Sequence, residues 1–175
     1  MSNSISLEKQ KTVNWHQKHS SLQTILLAID LNYNKHTDIV QWALNNIINP
    51  EKHKLYLFTT ITECLQYCYS STTLIYNTDD LVELHKANIE KATAELLKLR
   101  HLIHKEIPEI PVELVITTGE AADEICDFVN IKENGVDLVI VGTKGFKRFK
   151  RAFLGSVSDY CVHHCDCSVM VCKDS

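Results

Sequence analysis

The run VDLVIVG (Val136–Gly142) is followed at once by TKGFKRFKRAFLGSVS, residues 143–158. The first seven residues are apolar almost without interruption. A strand that shows no in–out alternation is buried on both faces, as in a parallel sheet covered by helices. In such a sheet ligands bind outside the carboxyl ends of the strands, where the strand order reverses. The residues after the strand suit that place. Their spacing is Gly142-x2-Gly145-x9-Gly155-Ser156, and these are three of only five glycines in 175 residues. Gly142 and Gly145 let the backbone approach a ligand closely and can turn successive N–H groups inward as an anion nest. Gly155-Ser156 opens a helix whose unpaired N–H groups and positive dipole end attract an anion. Ser156 and Ser158 add hydroxyls, and Lys144 can neutralise phosphate charge. The competing interpretation is a surface turn that needs glycine and carries solvated cations. Neither the P-loop pattern GxxxxGK[ST] nor the dinucleotide pattern GxGxxG occurs.

Upstream, the chain alternates between strand and helix patterns. LQTILLAID, residues 22–30, is a short apolar run ending in an acid. Ile39, Val40, Ala43, Leu44, Ile47 and Ile48 recur at helical spacing, and Asn49-Pro50 is expected to close that helix. KLYLFTTI, residues 54–61, and PVELVITT, residues 111–118, read as strands. Between them Leu81, Leu84, Ile89, Ala92, Leu96, Leu99 and Ile103 mark a long amphipathic helix, with Asp79 as its expected cap. Gly119 turns the chain into a helix lined by Ala121, Ile125, Phe128 and Val129, and Gly135 turns it into the glycine-flanked strand. A short helix from Ser156 and a last strand, SVMVC (Ser168–Cys172), complete the pattern. Alternating strands and helices make βαβ units, hence one α/β domain with an open, doubly wound, five-stranded parallel sheet and helices on both faces. Residues 1–20 are polar and aperiodic and are expected to form a flexible tail, leaving residues 21–175 as the folded domain. Residues 62–78 form the one long connection, expected to be a lid or a mobile insertion.

Charge sharpens the picture. Lys144, Lys147, Arg148, Lys150 and Arg151 lie between Gly142 and Gly155 with no acid among them, and removing their five charges takes the formal net charge from −4 to −9. One loop therefore attracts anions while the remaining surface repels nucleic acid and anionic membrane, which disfavours nucleic acid as a partner. The seven cysteines are an odd number, and the first twenty residues lack the apolar core of a secretory signal. Free thiols in the cytoplasm are the expectation, with no membrane span.

Other constellations admit more than one chemistry. Asp30 fits a ribose or adenine acceptor, a magnesium ligand or an Asx-turn. Cys161, His163, His164, Cys165 and Cys167 are soft metal donors, but no second, separately spaced knuckle accompanies them, so no metal ligand set is assigned. Free cysteine packs equally well as a small buried hydrophobe. Ser158, His163 and Asp166 invite a hydrolase reading, yet no G-x-S-x-G elbow is present, and no catalytic residue is assigned. The final strand would leave an apolar sheet edge, so pairing with its own copy in a homodimer is expected.

The Gly-x2-Gly-x9-Gly-Ser spacing after a buried strand resembles the signature of the ATP-binding branch of the universal stress protein family. GSVSDYCVHHCDCSVMVCK, residues 155–173, is similar to that family's last helix and strand. LLAID, residues 26–30, is similar to its opening strand, and TTGEAADEI, residues 117–125, to its third strand–helix junction. The resemblance covers roughly residues 22–173. It implies strand order 3-2-1-4-5 with ATP or AMP in the switch-point crevice, magnesium accompanying ATP. It implies further that Ala28, Ile29 and Asp30 meet the adenosine and Thr60 lines the adenine. Val141, Gly142, Lys144 and Gly145 would border ribose and phosphates, and Gly155, Ser156, Val157 and Ser158 would hold the phosphates. Ser168 stands where many members have proline, and Phe146, Lys147 and Phe149 make the loop bulkier and more basic than usual. The function implied is a nucleotide-binding stress regulator or sensor that acts with an unidentified protein partner. A nucleotide-independent interaction module and a slow ATPase are the alternatives, with at most weak hydrolysis.

Overall fold

A computed structural model describes residues 22–33, 35–61, 78–143 and 155–173. The expected tail at residues 1–20, most of the connection at 62–78, and Lys144 and Gly145 lie outside the described residues. Among the described residues five strands and four α-helices alternate: β1 (Gln23–Ala28), α1 (His36–Asn46), β2 (His53–Ile61), α2 (Thr78–Glu106), β3 (Val112–Thr118), α3 (Ala121–Asn130), β4 (Val136–Gly142), α4 (Ser156–His164) and β5 (Ser168–Cys172). All four strand pairings are parallel, in the order β3-β2-β1-β4-β5. This is the doubly wound sheet expected from the sequence.

The two-residue period of each strand sorts its side chains into two cores. On one face Ile25, Leu27, Ile29, Leu55, Leu57 and Ile140 pack with Val40, Ala43 and Leu44 of α1 and Leu96, Leu99 and Ile103 of α2. On the other, Leu26, Tyr56, Phe58, Val139 and Val141 pack with Ile125, Cys126 and Val129 of α3 and Cys161 of α4. The continuous apolar runs thus belong to the central strands β1, β2 and β4. β3 and β5, at the sheet's edges, are only half-buried along most of their length. One bulge adjusts the pairing. β4 places an extra residue, Asp137, against the Thr24–Ile25 step of β1, and its carboxylate accepts the Thr24 N–H at 2.7 Å.

Two helix ends differ from expectation. α1 stops at Asn46, before the Asn49-Pro50 pair. The Asn46 amide side chain donates to the Trp42 carbonyl at 2.8 Å, and the Ile47 and Ile48 N–H groups both reach back to Ala43 O. A side chain that bonds the carbonyl four residues back competes with continuation of the helix. α2 already includes Thr78, so Asp79 is not its cap but a first-turn residue beside Asp80, where carboxylates complement the helix dipole.

Glycine is required at two turns. Gly119, leaving β3, has φ +145°, and an added Cβ would stand 2.8 Å from Glu124 Oε1. Gly135 is left-handed (φ 56°, ψ 43°) just before β4. Among the described residues no helix is long and apolar enough to cross a membrane.

Candidate functional site: a crevice at the switch point

Chain order reverses between β1 and β4, which are neighbours in the sheet although β2 and β3 intervene in sequence. Their carboxyl ends are in register, Leu27 opposite Ile140, and the loops leaving them diverge to open a crevice. Its volume is about 370 Å³, within the range of small-molecule sites.

The floor is fastened by main-chain and hydroxyl bonds. Ile29 N–H donates to Phe58 O at 2.8 Å, and the buried Thr59 hydroxyl donates to Ile29 O at 2.8 Å. Beyond this point the chain turns sharply. Asp30 Oδ1 accepts the Asn32 N–H at 3.0 Å in an Asx-turn, and Tyr33 N–H donates to Asp30 O at 3.0 Å. The turn brings Tyr33, Lys35, His36 and Ile39, around the start of α1, onto the crevice wall. Opposite, Thr143 N–H donates to Cys172 O at 2.9 Å, which extends the β4–β5 ladder past Gly142.

The third wall is the start of α4. Gly155 is its extended N-cap (φ −66°, ψ 160°), and among the described residues no side chain caps the helix. Gly155 O accepts both the Asp159 N–H at 2.8 Å and the Ser158 hydroxyl at 3.0 Å. An end left uncapped and facing a cavity has the local electrostatics for an anion. The Ser158 hydroxyl proton is committed to its own helix turn, so Ser158 shapes this end and Ser156 is the exposed hydroxyl.

Ten of the residues singled out from sequence line this one crevice: Ala28, Ile29, Asp30, Thr60, Val141, Gly142, Gly155, Ser156, Val157 and Ser158. Asp30 forms the Asx-turn, and it also lines the crevice. The sequence left out the α1 side of the wall and the Gly119–Glu120–Ala121 rim. Both follow β-strands at their carboxyl ends, so the crevice rule alone could have pointed to them. The close-approach role read into Gly142 takes a milder form. Its φ is not positive, and among the described residues an added Cβ would meet only Ile39 Cδ1, at 3.6 Å.

The fold and crevice define a doubly wound α/β domain with an anion-favouring helix end at the switch point. The Universal stress protein family model matches residues 21–173, and the chain belongs to that family. A universal stress protein A-like protein of Arabidopsis thaliana is 34% identical over 97 residues, 54% of this chain and 52% of its own length. The chain spans about half the length of the first curated relatives it matches, 52% and 58%. Among solved structures, the universal stress protein UspA from Lactobacillus plantarum has a TM-score of 0.64 at 21% identity, over 85% of this chain and 96% of that one. An Arabidopsis thaliana family member solved with AMP bound has a TM-score of 0.59 at 22% identity, over 87% of this chain and 92% of that one. Likeness at these identities concerns the fold.

Proposed function

We propose that the switch-point crevice binds an adenine nucleotide, ATP or AMP, and that binding and release, rather than turnover, is the protein's signal in a stress response. The observation that carries the reading is the uncapped start of α4 facing the same cavity as the β1 and β4 ends. Phosphate oxygens would accept N–H groups of the first turn of α4 and the Ser156 hydroxyl. The adenosine would lie against Ala28, Ile29, Asp30 and Thr60. Thr143 and Gly155, which flank residues 144–154 in sequence, both line the cavity. In this reading Lys144, next to Thr143 in sequence, would neutralise phosphate charge, and Gly145 would border the phosphates. Magnesium would arrive with ATP, whose phosphates supply oxygen ligands of the kind it prefers. An AMP-bound relative supports the choice of adenine nucleotide.

Isothermal titration of the purified chain with ATP and with AMP tests the reading. Saturable binding is expected, weakened in Asp30→Ala and Gly155→Val with unchanged circular dichroism. No heat at millimolar nucleotide, or unchanged affinity in both variants, refutes it. The half-buried edge strand β5 supports a homodimer formed by pairing two β5 strands, and a reducing, cytoplasmic setting is proposed for its free thiols. Sedimentation that shows only monomer at high concentration would exclude that pairing.

A further inference from the structure

The crevice makes no use of the cysteine-rich end of α4. The sequence crowds Cys161, His163, His164, Cys165 and Cys167 together, and the fold separates them. His163 and His164 are exposed. Their Nδ1 atoms lie 2.8 Å from Asp159 O and 2.9 Å from Tyr160 O, and His164 stacks on Tyr160 with ring centroids 3.9 Å apart. Cys161 and Cys165 turn inward instead, toward a thiol from a different helix, Cys126 of α3. The three Sγ atoms lie within 4.8 Å of one another, and those of Cys126 and Cys165 are 3.2 Å apart.

The cluster is enclosed and firmly held. Cys161 is 0% and Cys126 4% exposed, while Cys165, the C-cap of α4, is half-buried and gives the cluster its access to solvent. Its surroundings are apolar side chains of the α3–α4 core, including Ile125, Val129 and Val139. Asn130 fixes the two helix ends to each other. Its Nδ2 donates to His164 O at 3.1 Å, and its Oδ1 accepts the Asp166 N–H at 2.9 Å.

We propose that Cys126, Cys161 and Cys165 form a three-coordinate site for a thiophilic monovalent cation, Cu(I). Metal–sulfur bonds of about 2.3 Å arranged in a plane put the sulfurs about 4 Å apart. The observed spacing, from 3.2 Å to at most 4.8 Å, brackets that value. Sulfur-only donors in an apolar pocket select a soft ion and exclude magnesium and calcium, which require oxygen. Structural zinc takes four donors, and among the described residues no fourth His, Cys, Asp or Glu ligand atom joins these three. Each thiol that binds as thiolate releases its proton to solvent, and no electron is transferred.

The test uses the full chain with Cys64, Cys68 and Cys172 replaced by serine, reduced and free of oxygen. Cu(I) is supplied on a chromophoric Cu(I) chelator, and its transfer is read as loss of the chelator's colour. One equivalent is expected to move to this chain. The equivalent is lost in Cys126→Ala, Cys161→Ala and Cys165→Ser and kept in Cys167→Ser and His163→Ala. No transfer, transfer that survives in the first three variants, or transfer that depends on Cys167 or His163 overturns the site. Circular dichroism checks that each variant folds. Where a core variant does not fold, X-ray absorption of the copper-loaded chain decides. Three sulfur neighbours are expected, and two, four or any nitrogen neighbour contradicts the proposal.

Discussion

Gly142→Val separates a role for the crevice from a role in the fold. Gly142 ends β4 with ordinary backbone angles, so a β-branched residue is conformationally welcome there. Its new Cβ would stand 3.6 Å from Ile39 Cδ1, an ordinary contact, and the two γ-carbons would lie against Ile39 or in the cavity that both residues line. Stability should therefore change by no more than about 1 kcal/mol. The smaller freedom of the unfolded chain offsets mild crowding of Ile39. A ligand that uses this wall loses close approach to the backbone. Affinity for ATP and AMP should fall at least tenfold, about 1.4 kcal/mol, with Gly142→Ala intermediate. The assay pairs isothermal titration with urea unfolding of the same samples. Wild-type affinity in a folded Gly142→Val chain would refute the placement of the nucleotide against β4. A loss of several kcal/mol in stability would refute the claim that this glycine serves the crevice rather than the sheet.

Other expectations concern the frame. Thr59→Val removes the hydroxyl bond to Ile29 O in a site only 2% exposed and should cost about 1–3 kcal/mol in urea unfolding, whereas Thr60→Val on the crevice lip should cost less. Burial holds the Cys161 thiol well above its ordinary range, so the folded chain at pH 8 carries it almost entirely protonated. Iodoacetamide followed by peptide mass spectrometry should leave Cys161 unmodified in the folded chain and modify it in urea. His53 is held below its ordinary value by burial, and further by Lys52, against an opposing pull from Asp137. Its folded value is the depressed one, so its contribution to stability is complete above about pH 6.5 and is lost as pH falls through the lower folded value. The acid-side fall in melting temperature between pH 7 and 5 should be shallower in His53→Gln.

The central strands were legible because β1, β2 and β4 are buried on both faces and so read as unbroken apolar runs. The end of the crevice formed by β4 and the start of α4 was legible for a similar reason. Glycine is scarce in this chain, and Gly142, Gly155 and Ser156 stand where a strand ends and a helix begins. The α1 wall was not, because Tyr33, Lys35 and His36 carry no motif. They reach the crevice only through the turn that Asp30 starts. The end of α1 was not legible because the apolar spacing continues through Ile47 and Ile48, past its last helical residue, Asn46. Cys126 was invisible as a partner of Cys161 and Cys165, since only the packing of α3 on α4 joins them.

In the proposed function an adenine nucleotide occupies the crevice between β1 and β4 with its phosphate on the start of α4. Diffraction from crystals grown with AMP tests it most directly. Adenine density is expected against Ala28–Asp30 and Thr60, with phosphate oxygens within hydrogen-bond distance of the first N–H groups of α4. An empty crevice at saturating AMP, or AMP bound elsewhere on the chain, would contradict it.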